Sequence, residues 1–222
     1  MSRNAQVSLT IVAMVAAVVG LLLFINRPAD PPAGEAGQAS DDARAEMLVR
    51  PDSHKLSTAA DGKVTVVEFL DLECEACGAA YPGVEQLRGE YGDRITFVMR
   101  YFPVPSHVNA ELAARAVEAA GKQGELEQMY STMFRTQPYW GDQRASHRGT
   151  FLGFARDLGL DMTRFEADLD AQATIDRVLR DRTDGVVLGV TGTPTFFING
   201  ALFQGQPSYQ GLKDAIDREL AR

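Results

Sequence analysis

Two cysteines separated by two residues are the side chains in this sequence best suited to covalent chemistry. Cys74 and Cys77 are the only cysteines among 222 residues, and Glu75 and Ala76 lie between them. Such a pair can form a structural disulfide, supply half of a metal site, or react as a dithiol. The choice depends on the other ligands in the chain and on the elements that hold the pair.

The metal and the structural alternatives both fit poorly. A structural zinc site normally takes four Cys or His ligands, usually as two close pairs. The chain has no second cysteine pair, and His54, His107 and His147 show no H-x₃₋₅-H spacing, so we expect no metal. A disulfide that closes so short a loop removes little entropy from the unfolded chain. The pair is therefore predicted to be a reactive dithiol.

The flanking segments predict a strand before the cysteines and a helix after them. Residues 63–70 are apolar and β-branched on both faces, as in a central buried strand, whereas 78–93 has helical spacing and 94–104 is a second strand. This order predicts a parallel βαβ unit. A helix that begins at Cys74 favours a thiolate there, because its first N–H groups are free. Cys74 is then the attacking sulfur and Cys77 the resolving sulfur.

Glu75 and Ala76 are predicted to tune the redox properties of the pair. A nearby carboxylate raises the pKa of a thiol, and Glu73 adds a second negative charge. The helix terminus and these carboxylates therefore oppose each other. We expect the Cys74 pKa to be less depressed than in pairs that have a histidine between the cysteines.

The middle of the chain predicts an all-helical insertion. No β pattern occurs over about residues 106–189, which carry apolar residues at helical spacing instead. Within this insertion, the charged run at 176–184, DRVLRDRTD, is predicted to be a solvated helix face. His107 is predicted to be a capping or surface residue rather than a catalyst.

The β pattern returns after the insertion. Residues 195–199 predict a strand, Asn199-Gly200 a hairpin turn, and 201–203 the return strand. Residues 208–220 predict an amphipathic closing helix. The outline is βαβ, a helical insertion, then ββα, which is an α/β fold class.

The N-terminal region predicts a membrane anchor and a tether. Residues 7–25 are 19 uncharged residues, and about 20 span a bilayer, so we expect residues 1–26 to form a cytoplasmic tip and a transmembrane helix. A cleaved signal peptide is the alternative. Residues 27–45 are rich in Pro, Ala, Gly and Asp and predict a disordered tether before a folded domain at 46–222. The net charge of −8 argues against nucleic-acid binding.

The strand, the CEAC pair, the helical insertion and the segment GTPTFF at 192–197 together resemble the DsbA-like branch of the thioredoxin superfamily. The resemblance covers about residues 46–222 and is strongest to membrane-tethered bacterial members. It implies a thioredoxin fold with an inserted helical subdomain, and thiol–disulfide exchange on exported proteins outside the cytoplasm. The cysteine pair itself carries the electrons, with no metal or organic cofactor. A quinone-linked membrane reoxidant is the implied partner of an oxidase.

The resemblance also implies roles for three residues outside the pair. Pro194 is expected to be cis and to lie against the cysteines, and Thr193 to offer backbone groups to an extended substrate. Glu68, six residues before Cys74, is expected to be buried with a raised pKa and to accept the proton of Cys77. The alternatives are an ordinary trans proline and a solvated or ion-paired glutamate.

Two other functions stay open at this point. A reductase or isomerase fed by a membrane electron donor would use the same residues, because the direction depends on redox potentials. A tethered peptide-binding or chaperone module without redox turnover would bind unfolded segments around Pro194.

Overall fold

The computed structural model describes residues 33–222, with side chains described from residue 40. Contacts group the chain into two units, residues 1–41 and 42–222, and of the first only residues 33–41 are described. The predicted membrane anchor at 7–25 therefore lies outside the described residues. Between residues 33 and 222, no helix has the length and apolar character that a membrane span requires.

A mixed sheet and eight α-helices make up the regular structure of the described residues. In chain order the elements are α1 (Ala33–Leu48), β1 (His54–Ser57), β2 (Thr65–Leu70), α2 (Glu75–Tyr91), β3 (Thr96–Tyr101), α3 (Ala110–Gly121), α4 (Leu126–Thr136), α5 (Arg148–Asp157), α6 (Met162–Asp170), α7 (Gln172–Val187), β4 (Thr195–Ile198), β5 (Ala201–Leu202) and α8 (Tyr209–Leu220). Short 3-10 turns occupy Gly92–Arg94 and Gln137–Tyr139.

The sheet has the order β1-β3-β2-β4-β5, with β2 near its centre. β2 and β3 are parallel, as the βαβ pattern predicted, and Glu68 pairs with Met99. β4 runs antiparallel to β2, so that Phe196 faces Glu68 across the ladder. The hairpin from β4 to β5 is also confirmed. β1 was not predicted; it pairs antiparallel with β3 at the edge of the sheet.

The two faces of the sheet bury different clusters, because alternate residues of a strand point to opposite sides. Val66 and Leu70 of β2 contribute to the larger cluster, which also contains side chains of α2, α8 and the helical insertion. Val67 and Phe69 contribute to the smaller cluster on the other face. Glu68 has the parity of Val66 and Leu70, and it is therefore placed within the larger cluster.

The helical insertion is confirmed, since α3 to α7 lie between β3 and β4 without any strand. The predicted solvated face at 176–184 exists, with Asp176, Arg180 and Thr183 exposed, but the other charged residues of the run are not part of it. Arg177, Asp181 and Asp184 are all buried. Arg100 of β3 is fully buried and lies 2.7 Å from the Asp181 carboxylate and 2.6 Å from that of Asp184. A buried guanidinium needs such partners, which is why α7 turns its carboxylates inward.

The structure also differs from the predicted tether. Residues 33–45 are helical, as part of α1. Alanine, glutamate, glutamine and arginine are strong helix formers, so a segment with few large apolar residues can still be helical. The end of α1 packs on the sheet, where Leu48 is buried with the smaller cluster. The backbone carbonyl of Leu48 accepts a hydrogen bond from the Arg100 guanidinium at 2.9 Å.

Candidate functional site

Cys74 and Cys77 lie at the junction between the end of β2 and the start of α2. Cys74 is the N-cap of α2, and its backbone N–H donates to the Asp71 carbonyl at 3.2 Å. Both cysteines are free thiols; Cys74 is half-buried, whereas Cys77 is only 1% exposed. The structure thus confirms the predicted geometry, with one accessible sulfur at the helix terminus and one shielded sulfur a turn further on.

The environment of Cys74 stabilises a thiolate. A hydrogen bond from the Cys77 thiol lowers the Cys74 pKa to about 5, against the opposing effect of burial, with further help from Thr193 and from the backbone N–H groups of Cys77 and Ala76. The Ala76 contribution comes from its backbone, as expected at a helix N-terminus, where N–H groups lack carbonyl partners. Cys74 is therefore ionised at neutral pH.

The two glutamates beside Cys74 are disposed differently from each other. Glu75 is exposed to solvent, which screens its charge. Glu73 is buried, and its carboxylate accepts a hydrogen bond from the Asn109 backbone at 2.6 Å. The comparison with pairs that contain a histidine stays a prediction. Despite the two carboxylates, the Cys74 pKa lies well below that of a free thiol.

Glu68 is buried beneath the cysteine pair, as predicted. It is 2% exposed, and its Oε2 has no hydrogen-bond partner. Burial raises the Glu68 pKa to about 8, with a further contribution from the Glu85 carboxylate, whereas Arg88 opposes the shift. Burial also raises the Cys77 pKa, to which the charges of Cys74 and Glu68 add. The solvated-glutamate alternative is therefore wrong.

Thr193 and Pro194 lie against Cys74. Their peptide bond is cis, and the Cys74 sulfur lies 3.4 Å from the Thr193 carbonyl oxygen, to which it can donate only when it is protonated. The Thr193 hydroxyl is buried without a hydrogen-bond partner of ordinary geometry, yet it lies close enough to the Cys74 sulfur to lower its pKa. Sequence reasoning assigned only backbone groups to Thr193, so this hydroxyl is a new component of the site.

Gln137 is a second component that the sequence did not reveal. Its amide Nε2 donates to the carbonyls of Leu72 and Cys74, at 2.7 and 2.9 Å. A Cβ on Gly78 would lie 2.0 Å from Gln137 Oε1, so any larger residue there would displace the Gln137 amide. A groove of about 430 Å³, lined in part by Glu75, Gly78 and Gln137, runs beside the first turn of α2. The insertion thus fixes the cysteine segment and shapes the surface next to it.

His107 and Asp71 form a pair beside the same segment. His107 Nδ1 lies 2.7 Å from Asp71 Oδ2, and the Asp71 side chain is fully buried. The N-cap of α3 is Asn109 rather than His107, so of the predicted capping or surface position only the second holds, with the His107 side chain 30% exposed. The only signal in the sequence was an acidic residue just before the cysteines and a histidine after the next strand.

The sequence of the chain matches a family model described as thioredoxin over residues 58–218. The chain belongs to the thioredoxin family. A curated relative, the Na(+)/H(+) antiporter NhaA of Herminiimonas arsenicoxydans, is 38% identical over 160 residues, which are 72% of this chain and 24% of that protein. The chain spans about a quarter of the length of the curated relatives it matches, and the antiporter name belongs to those longer proteins.

Solved structures of other proteins share the fold of this thioredoxin-family chain. A thioredoxin-like oxidoreductase from Silicibacter pomeroyi superposes with a TM-score of 0.67 at 29% identity, over 80% of this chain and 98% of that one. The α-DsbA1 of Wolbachia pipientis superposes with a TM-score of 0.71 at 19% identity, over 80% and 96% of the two chains. At 19% identity, the similarity to α-DsbA1 concerns the fold alone. Both confirm the thioredoxin-like sheet with its helical insertion.

Proposed function

We propose that this chain is an extracytoplasmic thiol–disulfide oxidoreductase that exchanges disulfides with exported proteins through Cys74 and Cys77, acting as an oxidase. The observation that carries the proposal is the asymmetry of the pair. Cys74 is accessible with a pKa of about 5, whereas burial holds the pKa of Cys77 well above its ordinary value. A dithiol with one stable thiolate and one protected thiol suits exchange in two ordered steps.

Oxidation of a substrate dithiol begins at Cys74. A substrate thiolate attacks the Cys74 sulfur of the enzyme disulfide, an S–S bond forms to the substrate, and the Cys74–Cys77 bond breaks. Cys77 leaves as a thiolate and takes the proton of Glu68, which is protonated at neutral pH because burial raises its pKa to about 8. A second substrate thiolate then attacks the substrate sulfur, and Cys74 leaves as its stabilised thiolate. Two electrons have passed from the substrate to the enzyme.

The same residues work in the opposite direction by microscopic reversibility. Cys77 attacks the mixed disulfide, Glu68 accepts its proton, and the substrate leaves as a thiolate. What favours the oxidase is the low Cys74 pKa, because stabilisation of the thiolate stabilises the reduced enzyme and makes its disulfide more oxidising. A reductase or isomerase fed by a membrane donor remains the second candidate, since the pair and its surroundings would be shared.

Thr193 and Pro194 are proposed to position the substrate chain. The Thr193 carbonyl lies at the Cys74 sulfur, so an extended substrate segment that pairs with this backbone would bring its own sulfur to Cys74. The pocket of about 180 Å³ that Pro194, Phe196 and Phe203 help to line can receive an apolar side chain of that segment. Glu75 and Ala76 are proposed to tune the redox potential from their positions between the cysteines.

The cellular setting is part of the proposal as well. We place the catalytic domain outside the cytoplasm and tether it through residues 7–25, on the strength of their uncharged run. Reoxidation requires an acceptor of two electrons, for which a quinone-linked membrane protein is the proposed partner. The redox couple is the cysteine pair itself, and no metal or organic cofactor takes part.

The decisive measurement is the equilibrium of the Cys74–Cys77 couple with glutathione. A potential between about −120 and −180 mV supports the oxidase, and one near about −270 mV supports the reductase. Turnover is tested with a reduced, unfolded protein that contains two cysteines. Cys74→Ala should abolish exchange, whereas Cys77→Ala should accumulate the mixed disulfide. A Cys74→Ala variant that retains all measurable function would instead support the chaperone alternative.

A further inference from the structure

The loop between β3 and α3 is fastened to the cysteine segment by several hydrogen bonds. Asp71, just after β2, accepts hydrogen bonds from the Glu73 backbone at 2.8 Å and the Val104 backbone at 2.8 Å, besides its contact with His107. Asn109 closes the loop by its bond to the Glu73 carboxylate. These contacts fix His107 relative to residues 71–74, which end at the reactive sulfur.

The hydrogen bond to Asp71 determines the state of the His107 ring. A buried carboxylate accepts, so Nδ1–H is the donor, and the second proton of a charged ring is carried by Nε2. Partial burial disfavours that charge, but the Asp71 hydrogen bond and charge, together with the charges of Cys74 and Glu73, outweigh it and raise the His107 pKa. The ring is 30% exposed, so solvent can supply and remove its proton.

The charged groups nearest His107 are negative, so a cation there favours the thiolate. Asp71 and Glu73 are both buried carboxylates on the segment that leads to Cys74. With a neutral His107, the segment from Asp71 to Cys74 would carry two carboxylates and the thiolate. A like charge disfavours a thiolate, and an opposite charge nearby favours it. Helix α7 also brings a positive charge to the loop between β3 and α3: the Arg182 guanidinium lies over the ring of Phe102, at the start of that loop.

We propose that His107, held by Asp71, is a positioning residue that supplies the positive charge for the Cys74 thiolate, a charge that Glu75 and Ala76 cannot provide. The inference rests on the proposed function and deepens it, because it assigns part of the stabilisation of the thiolate to a residue from another element. Protonated His107 stabilises the reduced enzyme, and the Asp71 carboxylate keeps the ring charged and oriented. The effect is electrostatic, and no proton is transferred between His107 and Cys74.

The first test needs no variant and no substrate. The imidazole of His107 is titrated by NMR in the dithiol and in the disulfide protein. Coupling is reciprocal, so the His107 pKa must be higher in the dithiol form, where the Cys74 thiolate is present. His54→Gln and His147→Gln assign the signals of the three histidines. An identical His107 titration in both redox states overturns the proposal, whether or not the protein exchanges disulfides.

The second test measures Cys74 directly in the full chain. The thiolate absorbance of the reduced protein is followed with pH for the wild type and for His107→Gln. Loss of the partly exposed cation should raise the Cys74 pKa by about half a unit to one unit, and shift the equilibrium with glutathione about 3- to 10-fold towards the disulfide. His54→Gln is the matched control, because His54 also pairs with a carboxylate, that of Glu118, at 2.6 Å.

The two tests separate the possible failures. If His107→Gln leaves the Cys74 titration unchanged while the fold is intact, the proposal is wrong even if turnover is normal. If the coupling is present but exchange with unfolded proteins is absent, the proposed function fails and the role of His107 stands. A variant that does not fold leaves the NMR titration of the wild type as the deciding measurement.

Discussion

The ionisation of Glu68 should dominate the pH dependence of stability in the disulfide form of this protein. Burial raises the Glu68 pKa to about 8, against an ordinary value of 4.5 in the unfolded chain. The folded protein therefore holds the proton more tightly than the unfolded chain does between these values. Stability is fully present below about pH 4.5 and is lost as the pH rises towards 8.

The size of the effect follows from the two pKa values. Each pKa unit corresponds to about 1.4 kcal/mol, so 2.5 units between pH 4.5 and pH 7 correspond to about 3 kcal/mol. Glu68→Gln has the same shape and cannot ionise. The variant should match the wild type near pH 4 and exceed its free energy of unfolding by about 3 kcal/mol at pH 7.

Urea unfolding of the disulfide form at pH 4, 5.5 and 7 measures this difference. The disulfide form is required because the lowered Cys74 pKa of the dithiol form adds stability between about pH 5 and pH 9, a slope of opposite sign. Glu75→Gln, at an exposed site, is the control and should stay within about 0.5 kcal/mol of the wild type at every pH. Parallel curves for the wild type and Glu68→Gln would refute the assignment of a protonated, buried Glu68.

Three further substitutions test other parts of the site and its support. Gly78→Ala would place a Cβ 2.0 Å from the Gln137 amide and displace its two hydrogen bonds to the cysteine segment. The free energy of unfolding in urea should therefore fall by about 1–3 kcal/mol, and unchanged stability would contradict the contact. Arg100→Ala removes the guanidinium that Asp181 and Asp184 share, although each keeps one other arginine, Arg177 and Arg50 respectively, and it should cost about 2–4 kcal/mol in the same assay; a loss below about 1 kcal/mol would show that those two arginines suffice. Thr193→Val keeps the shape and removes the hydroxyl, so the midpoint of the pH profile for alkylation of Cys74 should rise above about 5, and an identical profile would remove Thr193 from the thiolate's surroundings.

Local patterns were sufficient to predict the parts of this fold that depend on neighbouring residues. The buried run of β2, the C-x-x-C pair at a strand end and the hairpin at Asn199-Gly200 each carry their own signal within a few residues. Glu68 could be singled out because a carboxylate is unusual in a strand whose other residues are apolar and predicted to be buried. These segments and their order gave the α/β outline and the position of the reactive sulfur, whereas the thioredoxin fold was expected from the family resemblance that they carry.

What could not be predicted depends on partners that are distant in sequence. The acidic residues of α7 appear solvated until Arg100, on a central strand 81 and 84 residues earlier, is seen to need two carboxylates. Gln137 and His107 have no local pattern that connects them with the cysteines. β1 consists of four residues, too few for a reliable alternation, and it is fixed by pairing with β3.

The distance in sequence between Cys74 and Thr193 has a consequence for the synthesis of the protein on the ribosome. The two residues are 119 positions apart, with all of the helical insertion between them. At about 5–20 residues per second, a ribosome needs about 6–24 s to proceed from one to the other. Throughout that interval the Cys74 sulfur lacks its contact with Thr193, because that residue has not yet been synthesised. The surroundings of the cysteine pair are therefore complete only when β4 joins the sheet.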